Sequence, residues 1–253
     1  MDRTFSSKAI VLNRRDWRET DRLVSVYTPD HGLISLLARG ASKFSSKLAA
    51  HIEPISLSQI MVIKGKTFNY LGSAIMIESF SKIKGDLNKL YFAGQAFNFF
   101  SSLVREGQKD ELVFRWLERW LNSLEAAGGT DELNKEDGQF RLLLFYNRLL
   151  SLLGYALSLD RCLACQKIIT AGDKNRLDLI RGGLICPDCQ PEDTGYRFNQ
   201  SNHSVFLISD NCIKLWRYLA ESKNINLKNI KFNKKLLKEW EILHKRRIAW
   251  LDV

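Results

Sequence analysis

Proline and histidine are scarce, with only 4 of each in 253 residues. With 15 glycines and no low-complexity tract, this excludes collagen-like, mucin-like and disordered chains. No apolar run reaches the roughly 18–20 clean residues that a membrane span needs. The greasiest stretch, Leu142 to Leu159, is broken by Asn147 and Arg148. The opening segment MDRTFSSKAIVL lacks an apolar core of signal-peptide length, so secretion is not expected. No period of about 20–50 residues marks a repeat architecture. Catalytic signatures are missing too. There is no G-x4-G-K-[ST] loop, no G-x-G-x-x-G after a strand and no G-x-S-x-G elbow. His31, His51, His203 and His244 show neither H-E-x-x-H nor any paired spacing, and the carboxylates do not gather among the basic elements as a two-metal nuclease site requires. No enzyme is expected from this inventory.

What is present is an ordinary globular mix, 45% hydrophobic and 26% charged, long enough for one large domain or two to three small ones. Its net charge of +10 favours polyanionic partners, either nucleic acid or an anionic membrane surface. The charge is unevenly spread. Residues 1–85 carry 13 Lys+Arg against 7 Asp+Glu, residues 86–213 carry 14 against 17, and residues 214–247 carry 11 against 3. Two basic ends flank a slightly acidic middle, which suggests two separate anion-facing surfaces. A Lys-rich helix face that is merely solvated gives the same count.

The first 80 residues read as strands. The runs are Ser7–Leu12, Leu23–Tyr27, Leu33–Ala38, Ile55–Ile63 and Phe68–Ile77, with turns at Pro29-Asp30-His31-Gly32 and Lys64-Gly65-Lys66. Ile55, Leu57, Gln59, Met61 and Ile63 share one face. Five strands with hairpin signals and no long helix predict a small β-barrel of the oligonucleotide/oligosaccharide-binding (OB) type. From Asp86 the period becomes helical. Asp86 caps a helix through about Val104, with Leu90, Ala93, Phe97, Phe100 and Val104 on one stripe. Asp110 opens a second, with Val113, Trp116, Leu117, Trp120, Leu121 and Leu124 inward, ending before Gly128-Gly129. Asp137 opens a third, Gln139–Leu153, apolar nearly all round and so expected at the centre of a core. Residues 209–222 and 233–250 add two more. In the last, Leu236, Leu237, Trp240, Leu243 and Ile248 stand against Lys234, Lys235, Lys238, Lys245, Arg246 and Arg247. The fold class is therefore α+β and multidomain, with a barrel over 1–82 and a helical domain over 83–253 that carries a cysteine module at about 160–192.

Four of the 5 cysteines form two close pairs, Cys162/Cys165 in DRCLACQK and Cys186/Cys189 in LICPDCQ. A two-residue gap lets both sulfurs of a pair point to one side of a tight knuckle. Two knuckles separated by 20 residues complete a four-sulfur tetrahedron that suits Zn2+ in a reducing compartment. Four sulfurs leave no open position for water, so the expected role is structural. A redox reading of C-x-x-C needs a βαβ context that is missing. Cys212, alone in an apolar helix, reads as a small buried hydrophobe.

The barrel segment carries Lys8, Arg14, Arg15, Arg18, Arg22, Arg39, Lys43, Lys47, Lys64 and Lys66, several at strand ends or in connections. In ARGASKFSSK, small residues let a backbone approach phosphate while the cations neutralise it. Trp17, Phe44, Phe68 and Tyr70 are candidates to stack on unpaired bases. Barrel core is the competing assignment for Phe68 and Tyr70, whereas Trp17 and Phe44 lie in loops among charges.

The segment AIVLNRRDWRETDRLVSVYTPDHGLISLLARGASKFSSKLAAHIEPISLSQI at 9–60 resembles the RecO family of bacterial DNA repair and recombination mediators. Glu19-Thr20-Asp21, Asp30-His31-Gly32 and Ala38-Arg39-Gly40-Ala41 are its most specific parts. The likeness weakens after about residue 195. It implies an OB domain, a helical domain and, as in part of the family, a zinc module. It also implies binding of single- and double-stranded DNA, annealing of complementary strands, and help in loading RecA onto strands coated by single-strand-binding protein. Implied partners are RecR and the acidic C-terminal tail of single-strand-binding protein, with no membrane role and a cytoplasmic, nucleoid-associated location. The competing classes are an RNA-binding or ribosome-associated OB-plus-zinc protein and a metal-dependent nuclease.

Overall fold

A computed structural model describes residues 3–129, 132–170, 174–189, 204–221, 230 and 232–250. The chain forms two compact units, Met1–Gly138 and Gln139–Val253.

The first unit begins with five strands, β1 (Thr4–Trp17), β2 (Asp21–Thr28), β3 (Gly32–Ala38), β4 (Ser56–Ile63) and β5 (Asn69–Glu78). They hydrogen-bond in the order β1-β2-β3-β5-β4, and β4 returns to β1 to close the barrel. Only the short β3–β5 contact is parallel. Closure gives every strand a neighbour on both sides, through two residue pairs at the β3–β5 seam. The interior is built of branched aliphatic and small residues, among them Val11, Val24, Val26, Ile34, Leu36, Ile60, Val62 and Leu71. The OB-type five-stranded barrel expected from the sequence is present.

Two details differ from the pattern. β1 runs five residues past Leu12, because polar Asn13–Trp17 continues the ladder opposite Ser25–Asp21 after an irregularity between Val11 and Asn13. Apolar alternation stops before the pairing does. In β4 Ser56, Ser58, Ile60 and Val62 are buried on one face, while on the other Leu57 is buried and Gln59 and Ile63 are exposed. Ser56 Oγ donates to the Glu53 carbonyl at 2.6 Å and Ser58 Oγ to the His51 carbonyl at 2.8 Å. Backbone of the adjoining 3-10 turn, Ala49–Ile52, and of Glu53 just after it therefore satisfies two hydroxyls that would otherwise be costly to bury. Ile55 has φ 57 and lies outside the strand.

The β2–β3 turn requires glycine. Gly32 has φ +65, and a Cβ there would lie 2.2 Å from the Gln108 carbonyl oxygen. That contact brings the segment after the first long helix onto the barrel, where Gly107 N donates to the Leu33 carbonyl at 2.9 Å.

Three helices follow, α1 (Ser81–Gly85), α2 (Leu87–Leu103) and α3 (Glu111–Glu125). Asp86 caps α2 as expected, accepting from Asn88 N at 2.8 Å and Lys89 N at 3.0 Å. Asp110 caps α3 in the same way through Leu112 N and Val113 N. Leu90 is exposed, because the buried stripe of α2 runs through Phe92, Ala93, Ala96, Phe97, Phe99 and Phe100. Tyr27 of β2 meets Phe100 edge-on at 4.9 Å and stacks against Phe114, so the barrel and α2/α3 share one core.

Helix α4 (Lys135–Leu152) starts before Asp137, because Asn134 Oδ1 accepts from Asp137 N at 2.8 Å and is the cap. The rest of α4 belongs to the second unit. Phe140, Leu143, Phe145, Leu149 and Leu150 are buried there, as the all-round apolar pattern implies. The unit adds the strands β6 (Arg176–Asp178), β7 (Gly183–Ile185) and β8 (Val205–Leu207), ordered β7-β6-β8, and helices α5 (Asp210–Glu221) and α6 (Lys234–Trp250). Arg247 departs from its expected place on the charged face of α6. It is buried and donates to the Asn147 side chain and to the Tyr155 carbonyl. Residues 171–173 and 190–192 of the expected cysteine module, and residue 222 of the expected fourth helix, lie outside the described residues. Among the described residues no helix is long and apolar enough to cross a membrane.

Candidate nucleic-acid interface and metal centre

The barrel brings part of its cation set together at one end. The register Asp16↔Arg22 and Trp17↔Asp21 makes Arg18 to Thr20 the tip of the β1–β2 hairpin. Trp17, at its base, meets Phe68 edge-on at 5.9 Å, and Phe68 immediately precedes β5. The β4–β5 connection holding Lys64 and Lys66 therefore adjoins the hairpin. Arg39, just past β3, stacks its guanidinium 4.5 Å from the Tyr70 ring centre. In OB barrels these two connections and the β2–β3 face are where oligonucleotides bind.

The segment after β3 is tied to the same hairpin. Gly40 N donates to Asp21 Oδ1 at 2.8 Å, and Ser42 N donates to the Thr20 carbonyl at 2.8 Å. Ala41 is buried in the barrel core and pins the loop base. Arg39, Lys43 and Lys47 are exposed along this loop. Asp21 is thus an acidic residue in a basic surface with a structural task, which composition alone misses. The only sequence signal is an acid directly after the hairpin tip, in a segment that holds Arg14, Arg15, Arg18 and Arg22.

The remaining candidates are placed differently. Arg15 and Arg18 are exposed. Arg22 pairs with Asp16 at 3.2 Å. Arg14 faces the 3-10 turn, bonded to Glu53 at 2.5 Å and to the Ala49 carbonyl at 3.4 Å. Lys64 sits over the Phe5 ring at 5.6 Å, and Phe5 packs on His31. Lys66 is exposed in the β4–β5 connection.

In the second unit Cys162, Cys165, Cys186 and Cys189 place one sulfur each within 4.8 Å of one another. The first pair sits in a turn closed by the Arg161–Ile168 bridge, with Cys162 N bonded to the Lys167 carbonyl at 2.9 Å. The second pair directly follows β7. Leu163 N donates to the Leu184 carbonyl at 2.8 Å and joins the two knuckles. Arg176 donates to the Cys189 carbonyl at 2.6 Å, and Arg217 clamps the carbonyls of Leu159 and Ile169. Zn–S bonds near 2.3 Å imply tetrahedral S–S edges of about 3.8 Å. The Cys165–Cys186 separation is 3.8 Å. Burial would raise the Cys162 thiol, but backbone N–H groups of Cys165, Cys186 and Ala164 outweigh it and bring the pKa down to about 6. Bonding with the Cys165 and Cys186 sulfurs pushes Cys189 up to about 12. A divalent cation bound here displaces the protons that the raised Cys186 and Cys189 thiols favour. The cluster can hold a metal ion. Cys212 is fully buried, and burial pushes its thiol up, so it is a core residue.

Residues 1–80 match the family described as Recombination protein O N terminal, and residues 84–241 match Recombination protein O C terminal. The chain is 29% identical over 251 residues to the DNA repair protein RecO of Dehalococcoides mccartyi strain 195, covering 98% of this chain and 90% of that protein. It is 32% identical over 192 residues to the protein of the same name from Roseiflexus sp. strain RS-1, covering 76% and 64% of the two chains. The Acetivibrio thermocellus protein is 28% identical over 235 residues, covering 93% and 86%.

Proposed function

The chain belongs to the RecO family of DNA repair proteins, and from that premise we propose that it is a recombination mediator working by binding, without bond chemistry. The supporting observation is the barrel end where Arg39 lies over Tyr70 and Trp17 meets Phe68, with Arg15, Arg18 and Lys43 exposed in the adjoining hairpin and loop. In this reading the barrel, residues 1–82, is the DNA-binding module. Its cations neutralise phosphates on two strands and lower the repulsion that slows their pairing. Phosphate contacts position a strand without reading bases, so sequence preference is small. Counterion release makes affinity fall steeply with salt.

The same reading has the protein bind single- and double-stranded DNA, anneal complementary strands and help load RecA onto strands coated by single-strand-binding protein. RecR is its direct partner, and it acts in the cytoplasm at the nucleoid. The acidic tail of single-strand-binding protein ends in apolar residues and needs a hydrophobic niche beside cations. Lys214, Leu215, Tyr218, Phe232 and Leu236 line such a groove between α5 and α6. Zn2+ on the four cysteines is structural. When bound it cross-links the two knuckles, while the Arg176 and Arg217 contacts hold their backbone.

A strand-annealing assay with and without single-strand-binding protein tests this function. The protein is expected to accelerate pairing of complementary strands in both conditions. Annealing no faster than the uncatalysed rate in either condition contradicts it.

A further inference from the structure

Phe44 is fully exposed, with a relative accessibility of 111%. A phenylalanine usually serves a fold by leaving water, and this one buries nothing. Its exposure does not come from a loose tail. The loop that carries it is fastened at its base by Gly40 N to Asp21, by Ser42 N to the Thr20 carbonyl, and by Ala41 inside the barrel core. Ser42 Oγ adds a contact to Asp16 at 3.4 Å. Beyond that base the chain turns on itself, with Lys43 N bonded to the Gly40 carbonyl at 3.2 Å and Ser46 N to the Lys43 carbonyl at 3.0 Å. The apex carries an exposed ring between Lys43 and Lys47, with small Ser42, Ser45 and Ser46 around it.

We infer that Phe44 is a stacking residue for an unpaired nucleobase, and that it sets the preference of the barrel for single strands over duplex. This rests on the nucleic-acid reading of the barrel. The flanking cations decide the class of occupant. A polynucleotide offers phosphates to the cations and a π-face to the ring at adjacent positions, so one ligand satisfies both features of the loop. In duplex the base faces are already stacked on one another, so the ring finds a partner only where pairing is absent. Trp17 and Phe68, which touch each other, and Tyr70, which lies under Arg39, are already partnered. Among the four candidate rings, Phe44 alone presents both faces.

The test uses the full chain with three dye-labelled probes: an oligothymidylate, an abasic strand of the same length and a blunt duplex. Phe44→Ala is expected to lower the single-strand to duplex affinity ratio by about 5- to 150-fold, the range for loss of one base–aromatic stack. On the abasic strand the deficit should vanish, because the phosphates remain and the base does not. Phe44→Trp should restore the ratio. The salt slope should not move, because the ring carries no charge. Equal loss on the abasic strand means that the substitution disturbs the loop, and overturns the inference. An unchanged ratio overturns it as well, and leaves Phe44 as an anchor for a protein partner. If Phe44→Ala is without effect while Lys43→Gln and Arg39→Gln weaken binding, the barrel reading survives and only the stacking role fails. No binding of any probe by the unaltered chain defeats both.

Discussion

Single side chains in this protein hold distant segments through carboxylates and buried bases. Asp86 receives three backbone N–H groups, two from the first turn of α2 and one from Leu133 at 2.8 Å. Burial would raise its pKa, but the N–H groups of Leu133, Lys89 and Asn88, then the Lys89 charge, outweigh it and hold the carboxyl below its usual range. A carboxyl depressed by folding adds stability above its unfolded pKa, and that stability drains away as pH falls through the folded value. Asp86→Ala is expected to cost about 1–3 kcal/mol in denaturant unfolding near neutral pH, and less in acid. His244 acts in the opposite chemical sense. Burial, then the Arg247 charge, pulls its pKa down to about 3, and the ring stacks on Tyr146 at 4.9 Å. The unfolded chain takes up a proton near pH 6.5 that the folded ring refuses, so stability falls as pH drops from there toward 3. At about pH 4.5 the loss reaches about 2–3 kcal/mol. His244→Gln should flatten the pH dependence of the denaturant midpoint between 7 and 4.5, and an equally steep profile in the variant contradicts the assignment.

At the scale of elements, the four-cysteine cluster is the most legible feature and the loop clasp the least. C-x2-C pairs announce themselves because the sulfurs of one knuckle must converge whatever surrounds them. What brings the knuckles together is long-range: Leu163 to the Leu184 carbonyl, and Arg217 to the Leu159 and Ile169 carbonyls. Those bonds leave no local pattern. The helix caps Asp86 and Asp110 were readable because capping is local. The end of β1 was not, because polar Asn13–Trp17 is held by ladder bonds to β2 rather than by burial. In β4 the Leu57–Ile63 row is the more apolar one in sequence, yet Ser56 and Ser58 are buried, because His51 in the 3-10 turn and Glu53 just after it offer their hydroxyls carbonyl acceptors. Asp21 carries no local sign of its bond to Gly40, 19 residues away. Two outcomes belong at this scale. Cys162→Ser with Cys186→Ser should abolish bound zinc by metal analysis and lower the melting temperature, and unchanged zinc stoichiometry rejects the ligand set. Asp21→Ala should release the 39–47 loop, weakening oligonucleotide binding while all cations remain. Full affinity in that variant means that the clasp does not organise the surface.

For the whole molecule, charge and topology converge on the barrel. Residues 1–85 hold 13 cations against 7 acids, but the acids are not scattered repulsion: Asp16 and Glu53 pair with Arg22 and Arg14, and Asp21 fastens the loop. Arg15, Arg18, Arg39 and Lys43 are exposed in the hairpin and loop at the end of the barrel that carries Trp17, Phe68 and Tyr70. The central claim is that these four form a phosphate-binding surface, and its most direct test is the salt dependence of oligothymidylate affinity. Each phosphate neutralised on a single strand contributes about −0.7 to the slope of log affinity against log salt. Replacing all four with Gln should make the slope shallower by about 3 and weaken binding at low salt, with the fold intact by circular dichroism. A folded variant with the slope and affinity of the unaltered chain contradicts the account.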